Sequence, residues 1–236
     1  MEKLNSQTAL DLLFKDVILK KEDLALDKNR WVRHCIYVGI AAGRIAEKLG
    51  LDGDYAVALG YIHDVGRKIS HPNHVIDGYH YMIEHGYVEE ARSCLTHSFI
   101  DNNIYNAADK VSGPQERFNF MNNFLKSIEL TPYDNIVQMC DLFCLETGFT
   151  TVEKRMLDIY VRKGIYDTTK PHFNKVMELK KRLEDKMGCS LYDLFPEISK
   201  QALESLDDDH NEIIRIFKNF EEEEKGKELN KNNVTN

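Results

Sequence analysis

Apolar residues recur at intervals of three and four through most of the 236-residue chain, and alternating runs rich in β-branched residues are absent. That pattern predicts helices joined by short polar loops and no sheet, an all-α fold. The first helix is expected over about Thr8 to Lys20. The second runs from about Arg30 to Leu49, with Trp31, His34, Cys35, Val38, Ala41, Ala42 and Ile45 on its inward stripe. A third helix is expected to start at a capping Asp54 and to turn His63 inward before Gly66 breaks the pattern. His74, Gly78, Tyr81 and His85 share one face of a fourth helix, which Gly86 stops, and a fifth runs from Val88 to His97.

The segment from Ser98 to Pro114 is polar and reads as a long loop able to shape or cover a site. Helices resume over Gln115–Ile128 and Pro132–Thr147. Thr150 and Glu153 have the spacing of a capping box ahead of a helix reaching Arg162, which Lys163 and Gly164 close. Two or three further helices follow Pro171, broken near Gly188 and Pro196. After Phe220 the chain is rich in Glu, Lys and Asn and too poor in apolar residues to offset its ordering entropy, so a disordered tail is expected.

Composition narrows the functional classes. Hydrophobic residues make up 42% of the chain, enough to bury a core, and the formal net charge is −8. With no basic excess to release counterions, nucleic acid is not the expected partner, and any phosphate must meet local cations or metals. Five cysteines, an odd number, fall mostly in apolar helical stretches and suit a reducing, cytoplasmic compartment. Cys140 and Cys144 share helical spacing without a second pair, which favours small core residues over a zinc site. The amino terminus lacks the cationic-then-apolar order of a signal peptide, and no apolar run of spanning length occurs, so neither secretion nor a membrane is expected.

Against this background three ionisable residues stand out. His34, His63 and Asp141 each occupy the apolar face of a separate predicted helix, where an unpaired ionisable group would be costly to desolvate. A lone histidine on such a stripe is ordinarily a hydrogen-bonded core residue, but several inward His and Asp on separate helices reverse that preference. Imidazole nitrogens mixed with carboxylates suit Fe, Mn, Co, Ni or Zn rather than calcium. By contrast His71 and His80 read as solvated histidines, Lys175, Lys180 and Lys181 as a solvated helix face, and Arg155 as a structural ion-pair partner.

The order of these residues resembles a known family. His34, then His63-Asp64 within Tyr61-Ile-His-Asp-Val-Gly-Arg67, then Asp141 within Gln138-Met-Cys-Asp-Leu142, is similar to the H…HD…D signature of HD-domain phosphohydrolases. His74 and His97 look like the two further histidines of a dinuclear subset that includes bacterial dinucleoside polyphosphate hydrolases. Many relatives have Lys four residues after the HD histidine, where this chain has Arg67 followed by Lys68.

The resemblance implies a single HD-domain helical bundle with additional C-terminal helices. Its expected divisions are an N-terminal helix in 1–29, the metal-binding domain in 30–165, a helical extension in 166–220 and a tail in 221–236. It implies two divalent metals held by His34, His63, Asp64, His74, His97 and Asp141, with Asp64 bridging them. Arg67 and Lys68 are then expected to bind and neutralise the phosphate of a small phosphorylated substrate, a nucleotide above all, and Asp64, Arg67 and Lys68 to be the catalytic set. A homo-oligomer is compatible with this reading. Two other functions share the motif order: a di-iron oxygenase on the same fold, and a nucleotide-sensing module with little turnover.

Overall fold

The computed structural model describes residues 3–108 and 113–198. Among them are ten α-helices: α1 (Ser6–Phe14), α2 (Lys21–Ala25), α3 (Arg30–Lys48), α4 (Gly53–Ile62), α5 (His74–Glu84), α6 (Val88–Thr96), α7 (Gln115–Ser127), α8 (Pro132–Asp141), α9 (Val152–Lys163) and α10 (Thr169–Met187). The fold is all-α. No described helix is long and apolar enough to cross a membrane.

Local chemistry explains most boundaries. Asn5 caps α1 by accepting from the Thr8 amide at 2.8 Å, and Thr131 caps α8 in a reciprocal box with Asp134. The first helix stops at Phe14, short of the expected Lys20, because the chain turns through Asp16 at φ 63°. Asp52, not Asp54, caps α4, accepting from the Tyr55 amide at 3.0 Å, while Asp54 takes the Ser6 amide instead. Thr151, not Thr150, caps α9. The expected loop from Ser98 holds a 3-10 turn at Ile100–Asn102, and Pro171 lies inside the first turn of α10 rather than ahead of it.

One element corrects the expectation of no sheet. The helix expected to reach Thr147 ends at Asp141, and Cys144–Leu145 (β1) pairs antiparallel with Gly148–Phe149 (β2). The turn needs Gly148 at φ 134°, and it buries Phe143 and Phe149 against Phe195. Two-residue strands carry no detectable period, so the sequence pattern could not separate them from the helix before them.

The core runs through α1, α3, α4, α8 and α10, with Val176, Leu179 and Leu183 of α10 buried in it. Two close approaches determine where the polar residues meet. A Cβ on Gly60 would lie 2.5 Å from Gly39 Cα, so α3 and α4 cross at backbone contact. A Cβ on Gly66 would lie 2.1 Å from the His74 carbonyl oxygen, so the turn after α4 packs onto the start of α5. The expected tail 221–236 and the last part of the 166–220 extension lie outside the described residues.

Candidate metal centre

The two glycine contacts set His34 of α3, His63 and Asp64 at the end of α4, and His74 at the start of α5 around one point. His97, immediately after α6, and Asp141, the last residue of α8, complete the group. His34 Nε2 lies 2.9 Å from Asp141 Oδ1, and His63 Nε2 lies 3.9 Å from the same oxygen. Asp64 faces His63 Nε2 at 3.8 Å, His74 Nε2 at 3.2 Å and His97 Nε2 at 3.6 Å. Ring centroids of His34 and His63 are 5.2 Å apart, and those of His63 and His97 are 4.9 Å apart.

Ring orientation is set by the backbone. His63 Nδ1 donates to the Gly60 carbonyl at 2.7 Å, His74 Nδ1 to the His71 carbonyl at 3.0 Å, and His97 Nδ1 to the Ser93 carbonyl at 3.3 Å. Each bond spans three or four residues, a geometry that a helical turn supplies. With the proton on Nδ1, the three Nε2 lone pairs point into the cluster, as metal-binding imidazoles require. Ser98 Oγ lies 2.9 Å from His97 Nε2, a neighbour the motif order gave no reason to single out.

Burial makes these groups unusual. His63 is fully buried, and neither its Nε2 nor Asp64 Oδ1 has a hydrogen-bond partner; His34 Nδ1 is likewise unpartnered. A native core leaves few such atoms, and three in one cluster mark a place built for something other than mutual hydrogen bonding. Burial by itself would raise the Asp64 carboxyl, but Arg67 and three histidines hold it well below the usual range. Asp141 is also pushed down, with the His34 hydrogen bond overcoming desolvation. Burial lowers His34 and His74 and takes His97 down to about 3. The site therefore presents anionic carboxylates and neutral imidazoles, the protonation states of metal ligands.

The side chains available to a metal form two overlapping groups. His34, His63 and Asp141 make one, and His63, Asp64 and His97 make the other. His74 adds its Nε2 to the second through Asp64. The orphaned His63 Nε2 and Asp64 Oδ1 and the mixed nitrogen and oxygen donors fit a divalent transition metal.

The two cations that follow the dyad part company. Arg67 donates through Nε to Asp64 and sets its guanidinium against His71, with Nη1 2.8 Å from the ring Nδ1. Lys68, expected to bind phosphate beside it, does not join the cluster. Its Nζ donates to the Leu12 carbonyl at 2.5 Å and the Lys15 carbonyl at 2.7 Å, because the Val65–Lys68 3-10 turn sends successive side chains in different directions. Arg155 pairs with Asp158 at 3.1 Å, and burial pushes the Cys140 and Cys144 thiols up, which suits the core role read for them.

The chain matches the family model described as HD domain over residues 31–144. A 40-residue stretch, 17% of this chain, is 45% identical to part of Ribonuclease Y from Rhodopirellula baltica, and covers 8% of that protein. The chain thus spans a small fraction of that relative's length. No solved structure matches it.

Proposed function

The chain carries an HD domain in residues 31–144, and on that premise we propose that it is a metal-dependent phosphohydrolase acting on a small phosphorylated molecule, a nucleotide above all. His34, His63, Asp64, His74, His97 and Asp141 are the proposed ligands. The observation that carries the reading is the convergence of five elements on His63 Nε2 and Asp64 Oδ1, two fully enclosed atoms with no hydrogen-bond partner.

Bound divalent cations would acidify a water and polarise the phosphoryl oxygens. The protein's own contribution is orientation and charge. The Gly60, His71 and Ser93 carbonyls lock three imidazoles with Nε2 inward, and Arg67 fixes the second oxygen of Asp64. The two ligand groups overlap at His63, and His74 and His97 face Asp64, so the six donors are numerous enough that they would hold two metals. Arg67, with part of its side chain exposed beside Asp64, would meet a phosphoryl oxygen of the substrate. The short likeness to a ribonuclease does not outweigh the net charge of −8 in the choice between a mononucleotide and a polynucleotide.

The test is metal analysis together with phosphate release. The chain reconstituted with Fe, Mn, Co, Ni or Zn should bind about two metals and release phosphate from members of a nucleotide panel, in keeping with two-metal chemistry. His74→Ala should lower bound metal to about one per chain. A protein that never holds more than one metal overturns the dinuclear reading, and absence of phosphate release from every metal form overturns the phosphohydrolase reading.

A further inference from the structure

The turn that sends Arg67 to Asp64 sends Lys68 to a cavity of about 380 Å³, lined by Lys15, Asp16, Val17, Lys68, Tyr81 and His85. That volume lies at the lower end for small-molecule sites. Lys68 donates two of its three ammonium N–H groups to the Leu12 and Lys15 carbonyls at the end of α1, which leaves the third. Its Nζ lies 5.3 Å from the centre of the Tyr81 ring. The Tyr81 hydroxyl is buried and has no hydrogen-bond partner. Lys15 brings a second ammonium, 3.5 Å from His85 Nε2.

A purely structural role accounts for part of this. A lysine at a helix C-terminus stabilises the last carbonyls, and Lys68 does so for α1. That role explains neither a second ammonium at the same cavity nor an enclosed phenol without an acceptor. Asp16 is the acid lining the cavity and offsets one of the two lysine charges. The surplus is therefore one positive charge and several donors, in a protein that is acidic as a whole. Burial, with Lys15 adding to it and Asp16 opposing it, pushes the Lys68 ammonium down to about 8, as expected for a cation short of anionic partners.

We propose that Lys15, Lys68, Tyr81 and His85 form a binding site for a small phosphoryl anion, separate from the metal cluster. Lys68 and the Tyr81 hydroxyl donate to the phosphoryl oxygens from the enclosed side, and Lys15 closes from the exposed side. Through the Val65–Lys68 turn this site is covalently continuous with Arg67, and so with Asp64.

Calorimetric titration of the full chain with orthophosphate, in the presence of chelator, tests this without any contribution from metal. One saturable site per chain is expected, weakened about tenfold in Lys68→Met and in Tyr81→Phe, the loss of one charged or buried hydrogen bond. Lys15→Ala should weaken it about threefold, as an exposed charge does. Asp141→Asn should bind as the wild type does. A parallel titration with AMP separates the sources of the anion: competition identifies an ester phosphoryl group, and its absence identifies free phosphate. If Lys68→Met does not fold, Tyr81→Phe and Lys15→Ala carry the test. No saturable binding, equal affinity in wild type and both of those variants, or loss in Asp141→Asn alone overturns the proposal. Because metal is removed throughout, the result is independent of whether the cluster hydrolyses phosphate.

Discussion

Asp64 and Asp134 are both buried carboxylates, 2% and 4% exposed, yet they are treated in opposite ways. Asp134 is saturated. It accepts from Arg92 Nη2 at 2.9 Å, from Thr96 Oγ1 at 2.8 Å, and from both the amide and hydroxyl of Thr131 at 2.7 and 2.6 Å. Asp64 receives Arg67 on one oxygen, while its other oxygen faces two imidazole nitrogens and has no hydrogen bond. A carboxylate whose lone pairs are all used can only hold structure together, whereas one with a free oxygen among neutral imidazoles keeps its capacity for a ligand. The difference separates a saturated acid from one with an acceptor to spare more sharply than burial does.

The largest expected effect comes from deleting each acid in turn. Asp64→Ala should lower metal affinity by more than about 100-fold, beyond the loss usual for groups that only support a ligand. In chelator it should cost no more than about 1.5 kcal/mol, roughly one charged hydrogen bond. Asp134→Ala should do the reverse, leaving metal affinity within about twofold and costing about 3 kcal/mol, the low end for breaking a buried charged network since Arg92 keeps some solvent contact. Denaturant unfolding and metal analysis on both variants check this. If Asp64→Ala proves the more destabilising without metal, the distinction between the two acids collapses.

Acid should separate the two regions next. His97 titrates at about 3 in the folded chain, and His34 and His74 are also lowered, whereas the unfolded chain has ordinary histidines near 6.5. Between those values the unfolded state binds more protons, so the stability of the metal-free protein should fall as pH drops below about 6.5. The depressed carboxyls of Asp64 and Asp141 add to the loss as pH falls below the ordinary carboxylate range. Unfolding curves in chelator from pH 8 to pH 4 measure it. A stability that stays level from pH 7 to pH 5 would contradict the enclosed, neutral state of these rings.

The smallest effect concerns the cap that the Asp134 network shares with α8. Thr131→Ala should cost about 1 kcal/mol, the usual worth of an N-cap, and leave metal stoichiometry unchanged. A change in metal content would show that the saturated network reaches the cluster through Asp141, at the far end of the same helix.

Several of these distinctions could be read along the chain. The long helices were, because their apolar stripes repeat over many residues, and His34, His63 and Asp141 drew notice because an ionisable residue on such a stripe is costly. Asp134 gave no such warning, since its place three residues after Thr131 marks it as part of a cap. The end of α1 was missed because a single left-handed residue, Asp16, stops a pattern that continues past it.

The sequence by itself thus determined the all-α architecture and the inward position of His34, His63 and Asp141, which follow from periodicity and from the desolvation of residues on a known face, while Asp64, His74 and His97 were legible only through the resemblance in motif order. Only the tertiary structure decided that the glycine contacts Gly39–Gly60 and Gly66–Gly78 join α3, α4 and α5 at the point that His97 and Asp141 complete, that Lys68 leaves Arg67 for the end of α1, and that Asp64 keeps a free oxygen while Asp134 does not. The physical reason is range: a helix repeats every few residues and writes itself into the chain, whereas lone pairs are used or left free by partners tens of residues away.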